Sequence, residues 1–391
     1  MMTSLFSHSV YAAKKLRGLV VLIDFEDAPA KISLSRANDI FNTRGYRENG
    51  VNISVIDYFW LQSRGHIILE HDIFGPYRAP KPAEWYKRKE ATWRDGVALG
   101  KQALKWVLDQ NPDYDWDSLS LEKDGTFLSI NFETSVRIKG SGGTHYLGSD
   151  FVAPNGVKGG QFVGGSLQNP WNRHVNIFTF LHEFGHMIFG WPDTYDTQSN
   201  SHGTGIYSLM SGGRPDVEPI GAPFLVKEGW VEVVDVENLK NGSITLKENG
   251  NTILRHCNPA DPKEFFLFEA RNKFITGNSN LPAERGLLIW HVDNNVRTAN
   301  TREQMTPKEH YRVSIEQADG RFDLEKKVNR GDAGDLYSPG KEFTDTSTPN
   351  SRWWDGSSSG LTVNDIEFLK DDMISFRVSL ETPDTNESIK K

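Results

Sequence analysis

From Leu19 to Phe25 the chain carries an almost unbroken apolar run of strand length, Leu19-Val20-Val21-Leu22-Ile23-Asp24-Phe25. A run without alternation suits a strand buried on both faces, so it is read as the central strand of a sheet. Leu34 to Phe41 has helical spacing, with Ser33 or Ser35 placed to cap it. A second strand is expected over Gly65 to Ile73, a long helix over Glu90 to Leu108, and a short strand over Thr126 to Phe132. Gly140 to Gly165 is dense in glycine and reads as a long surface loop. Asn176 to Phe189 reads as a second strong helix.

After Trp230 the texture changes to short alternating runs between turn residues. They are Ser243 to Leu246, Phe265 to Glu269, Gly286 to Val292, Tyr311 to Gln317, Leu361 to Phe368 and Met373 to Leu380. In the last of them Ile374, Phe376, Val378 and Leu380 point one way and Ser375, Arg377 and Ser379 the other. This pattern predicts an antiparallel β-sandwich. The fold class is therefore α+β, with a mixed domain over 16–232, a β-sandwich over 233–381, and tails at 1–15 and 382–391. The first tail is either flexible or the remnant of a signal peptide, since Val10-Tyr11-Ala12 resembles a cleavage site.

Composition narrows the function classes. The chain has 391 residues and a formal net charge of -8, which removes the basic footprint of a nucleic-acid binder. No apolar run reaches the roughly 18 residues needed to span a bilayer. The single cysteine, Cys257, excludes an internal disulfide framework and a cysteine-based zinc site.

The decisive chemistry lies in the second strong helix, in Leu181-His182-Glu183-Phe184-Gly185-His186. Residues four apart lie on one helical face, so His182 and His186 can share one Zn²⁺, with Glu183 placed to take a proton from water. Leu181, Phe184, Met187 and Ile188 bury the rest of the helix, and Gly190 and Pro192 stop it. A third ligand must follow the turn. Asp193 is the nearest carboxylate, with Asp196, His202 and Glu218 as alternatives. On its own Met210 reads as core filler, but its place between tight-turn residues 24 positions after His186 matches the turn beneath the zinc ligands of metzincin-like proteases.

Taken in order, several motifs make the chain resemble the immune inhibitor A family of secreted bacterial zinc metalloproteases. They are Asp24-Phe25-Glu26-Asp27, Tyr58 to Gly65, His182 to Asp193 with Thr194-Tyr195-Asp196, Ser208-Leu209-Met210-Ser211, Gly286 to Asp293, Gln317-Ala318-Asp319-Gly320 and Gly331-Asp332-Ala333-Gly334-Asp335. The resemblance runs from about Leu19 to Leu380. It implies a zincin-like catalytic domain, an extracellular endopeptidase, His182, His186 and Asp193 as zinc ligands, and Glu183 as general base. One residue more than the family pattern separates His186 from Gly190, and a local bulge within Met187 to Phe189 is expected to absorb it.

Asp332 and Asp335, in a glycine-containing turn with Asp319 and Asp323 upstream, suit Ca²⁺, and the resemblance favours that reading over a solvated turn. Asp113, Asp115 and Asp117 read as a helix-exit loop. His291 and Asp293 read as a structural pair. Tyr195 and Tyr207 are either oxyanion donors or core aromatics. Trp353-Trp354 is a candidate surface or glycan contact, although tryptophan pairs are more often core. The expectation is a secreted, zinc-dependent and calcium-binding endopeptidase acting on protein or peptide substrates. Its rivals are a zinc hydrolase of other substrates and a binding protein.

Overall fold

The computed structural model describes residues 12–47, 53–147, 151–166, 177–211, 217–239, 242–272, 285–296 and 309–381. Residues 1–11 and 382–391, which hold most of the expected tails, lie outside them. The architecture is α+β, and the chain forms two compact units, Met1–Ile188 and Phe189–Lys391. Glu232, the expected boundary, marks where helices give way to strands. The preceding segment nonetheless belongs with the later strands: a Cβ on Gly221 would come within 2.7 Å of the Trp290 ring. Among the described residues no helix is long and apolar enough to cross a membrane.

The first unit holds β1 (Lys14–Asp24), α1 (Leu34–Asn42), α2 (Val55–Gln62), β2 (Ile67–Arg78), α3 (Ala83–Lys87), α4 (Trp93–Gln110), β3 (Ile130–Thr134), β4 (Gly143–Tyr146), β5 (Gln161–Gly165) and α5 (Phe178–Phe189). The strands form one sheet in the order β2-β1-β3-β5-β4, parallel except for the antiparallel edge strand β4. The apolar run of β1 lies inside this sheet, buried on both faces. Leu19, Val21 and Ile23 join Leu99, Ala103, Leu104 and Val107 of α4 in one core. Gly18, Val20 and Leu22 face the other way by the two-residue period. On that face the His71 ring stacks on Phe184 of α5 at 5.3 Å. Ser33 caps α1, accepting from the Arg36 N–H. The sequence showed no helical period for α2, because Val55, Ile56, Asp57, Tyr58 and Phe59 are buried in succession.

The stretch from Gly140 to Gly165 is not a structureless loop, since it contains β4 and β5. Its glycines serve close approach as well as turning. A Cβ on Gly164 would meet the Gly140 carbonyl at 2.4 Å, and one on Gly165 would meet a Glu133 carboxyl oxygen at 2.3 Å. Glu133 is 2% exposed, and among the described residues neither of its oxygens has a hydrogen-bond partner. Burial holds its pKa well above the usual carboxylate range.

The second unit holds α6 (Ala222–Lys227), β6 (Glu232–Asp235), β7 (Gly242–Lys247), β8 (Thr252–Cys257), β9 (Glu264–Arg271), β10 (Gly286–Asp293), β11 (Val313–Ile315), β12 (Leu361–Leu369) and β13 (Met373–Leu380). A five-stranded sheet runs β11-β10-β9-β8-β6, and a three-stranded sheet runs β12-β13-β7. Pairing is antiparallel except between β6 and β8, which are parallel and were not anticipated as strands. Both sheets feed one apolar cluster, with Phe266, Phe268 and Ile289 from the first and Leu246, Val363, Ile374 and Phe376 from the second.

Within this unit the expected His291–Asp293 pair is not made. The two residues share a face of β10, but each bonds elsewhere. His291 lies between two carboxylates, with Nε2 2.9 Å from Glu264 and Nδ1 3.1 Å from Glu316. Asp293 accepts from His310 at 2.8 Å. Trp353 is buried in the core, and Trp354 stacks on His291 at 4.7 Å and on His310 at 4.3 Å. The tryptophan pair is therefore committed to packing and does not form an exposed platform.

Burial lowers the His291 pKa, but the bonds to Glu264 and Glu316 outweigh it and the net shift is upward. A histidine raised on folding adds stability below its unfolded pKa and loses that contribution as pH rises through the folded value. Replacing His291 with Gln leaves two buried carboxylates without their cation, at a cost of about 3–5 kcal/mol. The gap in thermal midpoint between wild type and H291Q should be widest near pH 6 and narrow on going to alkaline pH. A gap constant across that range would show that His291 is not held as a cation.

Candidate metal centre

Helix α5 presents its side chains in two stripes. Phe180, Leu181 and Phe184 are fully buried. Phe180 meets Phe41 of α1 edge-on at 5.1 Å, and Phe184 lies against Phe59 of α2 at 6.2 Å and on His71 of β2. Burying each of these rings contributes about 1.5–3 kcal/mol, which fixes the rotation of the helix. The neighbouring stripe carries Phe178, His182 and His186. The two imidazoles meet edge to face at 4.8 Å, and the Phe178 ring lies 5.6 Å from His182.

The helix stops at Gly190, whose φ of 60° suits glycine. The extra residue before Gly190 causes no bulge. Met187, Ile188 and Phe189 continue the α-helix, and the reversal at Gly190 takes up the difference. After the turn two anchors fix the chain. Trp191 is buried and donates its ring N–H to Glu228 at 2.9 Å, while Lys227 caps the Phe189 carbonyl at 2.7 Å. The Thr194 N–H then donates to the Met210 carbonyl at 2.7 Å. Met210 is fully buried in a short 3-10 turn, Leu209–Ser211, and its carbonyl holds the residue next to Asp193.

Asp193 lies between these anchors. One ligand atom from each of His182, His186 and Asp193 falls within 4.8 Å of the others. His182 is buried, and His186 and Asp193 are half-buried. Two imidazole nitrogens and a carboxylate oxygen form a donor set suited to zinc. Asp196, an alternative third ligand, is engaged in its own loop. Its carboxylate accepts from the N–H groups of Gln198, Asn200 and Ser201 at 2.8, 3.1 and 3.0 Å. Neither His202 nor Glu218 is grouped with the two histidines among the described residues.

Glu183 is buried, and its carboxylate accepts a hydrogen bond from the Thr144 hydroxyl of β4 at 2.7 Å. The sequence reading missed Thr144 because it lay inside the presumed loop. The available signal was the short non-glycine run Thr144-His145-Tyr146-Leu147 between glycines. Tyr146, next but one on the edge strand, is 59% exposed.

In the second unit, Asp332 and Asp335 come together with Asp319, again within 4.8 Å. Arg321, which the sequence reading did not single out, donates to Asp319 at 2.6 Å and to Asp332 at 2.8 Å. The Tyr207 hydroxyl donates to Asp335 at 2.8 Å, so Tyr207 belongs to this acidic turn. Burial, with repulsion from Asp332 and Asp319, outweighs its hydrogen bonds and pushes the Asp335 pKa up to about 6. In the other acidic stretch, Asp115 caps a single 3-10 turn and Asp117 accepts from Asn155, as befits a helix-exit loop.

No protein-family model matches the chain, and no curated protein sequence matches it significantly.

The contrast between Asp193 and Asp196 is testable. Asp193→Ala should weaken zinc binding by more than the roughly 10–100-fold typical of residues behind the ligands, measured by competition with a chromogenic chelator. Asp196→Ala should lower the thermal midpoint and leave zinc affinity close to wild type. The reverse pattern would transfer the ligand role to Asp196.

Proposed function

We propose that this protein is a secreted zinc-dependent endopeptidase, with a zincin-like catalytic domain followed by a β-sandwich. The observation that carries the reading is the convergence of His182, His186 and Asp193 around one point, with Glu183 beside the first ligand on the same helix. The resemblance to the immune inhibitor A family also supports it, through motifs from about Leu19 to Leu380 that include ones outside the His182–Asp193 block. The mixed sheet with its antiparallel edge strand supports the first domain, and the core shared by two sheets supports the second.

In this reading His182, His186 and Asp193 hold the ion. Bound zinc supplies Lewis acidity, polarising a carbonyl and lowering the pKa of a water towards about 7. Glu183, beside His182 on the same helix, would accept a proton from the attacking water and pass it to the departing amine. The burial of Glu183 keeps bulk water from competing for its proton. Strand β4 ends the sheet, so its outer edge offers backbone groups to an extended peptide. This favours a peptide over a small non-peptide substrate. Asp319, Asp332 and Asp335 are proposed to take calcium once the Arg321 guanidinium swings aside, since its side chain is 56% exposed.

Glu183→Gln should reduce hydrolysis of labelled casein by at least the roughly 10²–10⁴-fold of a lost general base and leave the zinc content unchanged. Proteolysis close to wild type in that variant would remove the mechanism. For calcium, adding the ion at about 100 times its Kd should raise the thermal midpoint of the second unit by about 5–10 °C, and a calcium-selective chelator should reverse the rise. A midpoint that ignores both additions would withdraw the calcium assignment.

A further inference from the structure

We infer that Thr144 is a positioning residue that divides the labour between the two oxygens of Glu183; the inference rests on the endopeptidase reading. The Thr144 hydroxyl donates to Glu183 Oε2 at 2.7 Å. A hydroxyl has one proton to give, and here it is spent on Oε2. Oε1 is then the oxygen left to receive a proton from water. That proton passes from water to Oε1 and on to the departing amine, while the Thr144 proton stays on its own oxygen throughout. A glutamate side chain without such a bond samples several rotamers, each aiming a different lone pair at the reacting atoms. One fixed hydrogen bond selects one of them.

Thr144 is itself firmly placed. Its β-branched side chain has few χ1 choices. The register of β4 against β5, with Thr144 opposite Val163, His145 opposite Phe162 and Tyr146 opposite Gln161, sets the face on which its hydroxyl emerges. On the opposite face His145 pins the strand, through its Nε2 at 2.8 Å from the Gly140 carbonyl and its ring stacked parallel to Trp93 at 5.9 Å. Sliding β4 by one residue would turn the hydroxyl away from Glu183 and put an imidazole in its place. The edge strand therefore reaches the catalytic helix through one side chain, the Thr144 hydroxyl on Glu183 Oε2.

The test compares Thr144→Val, Thr144→Ser and Thr144→Ala in the full-length zinc-loaded protein on a quenched fluorescent peptide. Wild type and Glu183→Gln run alongside, so that failure of the endopeptidase reading shows first as no difference between those two. With that difference in hand, Thr144→Val should lower kcat by about 10–100-fold, the range for losing a hydrogen bond to a charged group. KM should stay within about twofold, and zinc content and thermal midpoint should be unchanged. Thr144→Ser should restore most of kcat. In a crystal structure of Thr144→Val the Glu183 carboxylate should occupy more than one rotamer. A Val variant with wild-type kcat overturns the inference. Should Val disturb the strand, seen as lost zinc or a lower midpoint, the Ser and Ala variants decide: equal loss in both overturns it, and retention by Ser alone supports it.

Discussion

The site depends on how α5 is seated. Phe180, Leu181 and Phe184 leave no solvent-exposed surface, and the rings of Phe41, Phe59 and His71 receive the two phenylalanines from three different elements. A helix turned by even one position would lift these rings from their contacts, at a cost comparable to a large share of a domain's net stability. The rotation that satisfies the aromatic stripe also sends His182 and His186 to one side and lets Glu183 meet Thr144. The direction of the candidate ligands is thus set by the apolar packing behind them, and the polar residues inherit a direction they do not set themselves.

Several charged or chargeable groups lie inside the protein, and each is handled differently. Glu133 has no hydrogen-bond partner among the described residues, and burial alone raises its pKa. His291 stays within reach of two carboxylates and is roofed by an indole. Asp335 combines a tyrosine hydroxyl, a backbone N–H and a raised pKa. These solutions carry different dependence on pH, so the two units respond to acid and base through separate groups. The lone Cys257 offers no covalent cross-link within the chain, and stability rests on packing and on these networks.

Much of this was legible in the sequence because the physics is local. An unbroken apolar run made β1 a central strand, and helical spacing with a serine cap made α1. The four-residue spacing of His182 and His186 made one face of α5, and Gly190 and Pro192 made its end. What escaped required knowledge of neighbours. Gly164 and Gly165 look like turn residues until the Gly140 carbonyl and the Glu133 carboxyl are seen above them. Thr144 is unremarkable in sequence and acquires meaning only from a contact 39 residues away. Arg321 inside the acidic turn and the separate partners of His291 and Asp293 are likewise long-range facts. The division of the chain at Phe189 follows from packing that no local pattern announces.

The arrangement of Glu133 over Gly165 bears on how this chain can drift over generations. The carboxyl occupies the volume that a side chain at position 165 would need, with an oxygen 2.3 Å from an added Cβ. The two positions share one space. An alanine at 165 demands a shorter residue at 133, and a shorter residue at 133 opens a void unless 165 grows to fill it. Either change alone meets a penalty that the other removes, so related sequences should keep both residues or exchange both, and the pair should register as coupled variation across the sheet.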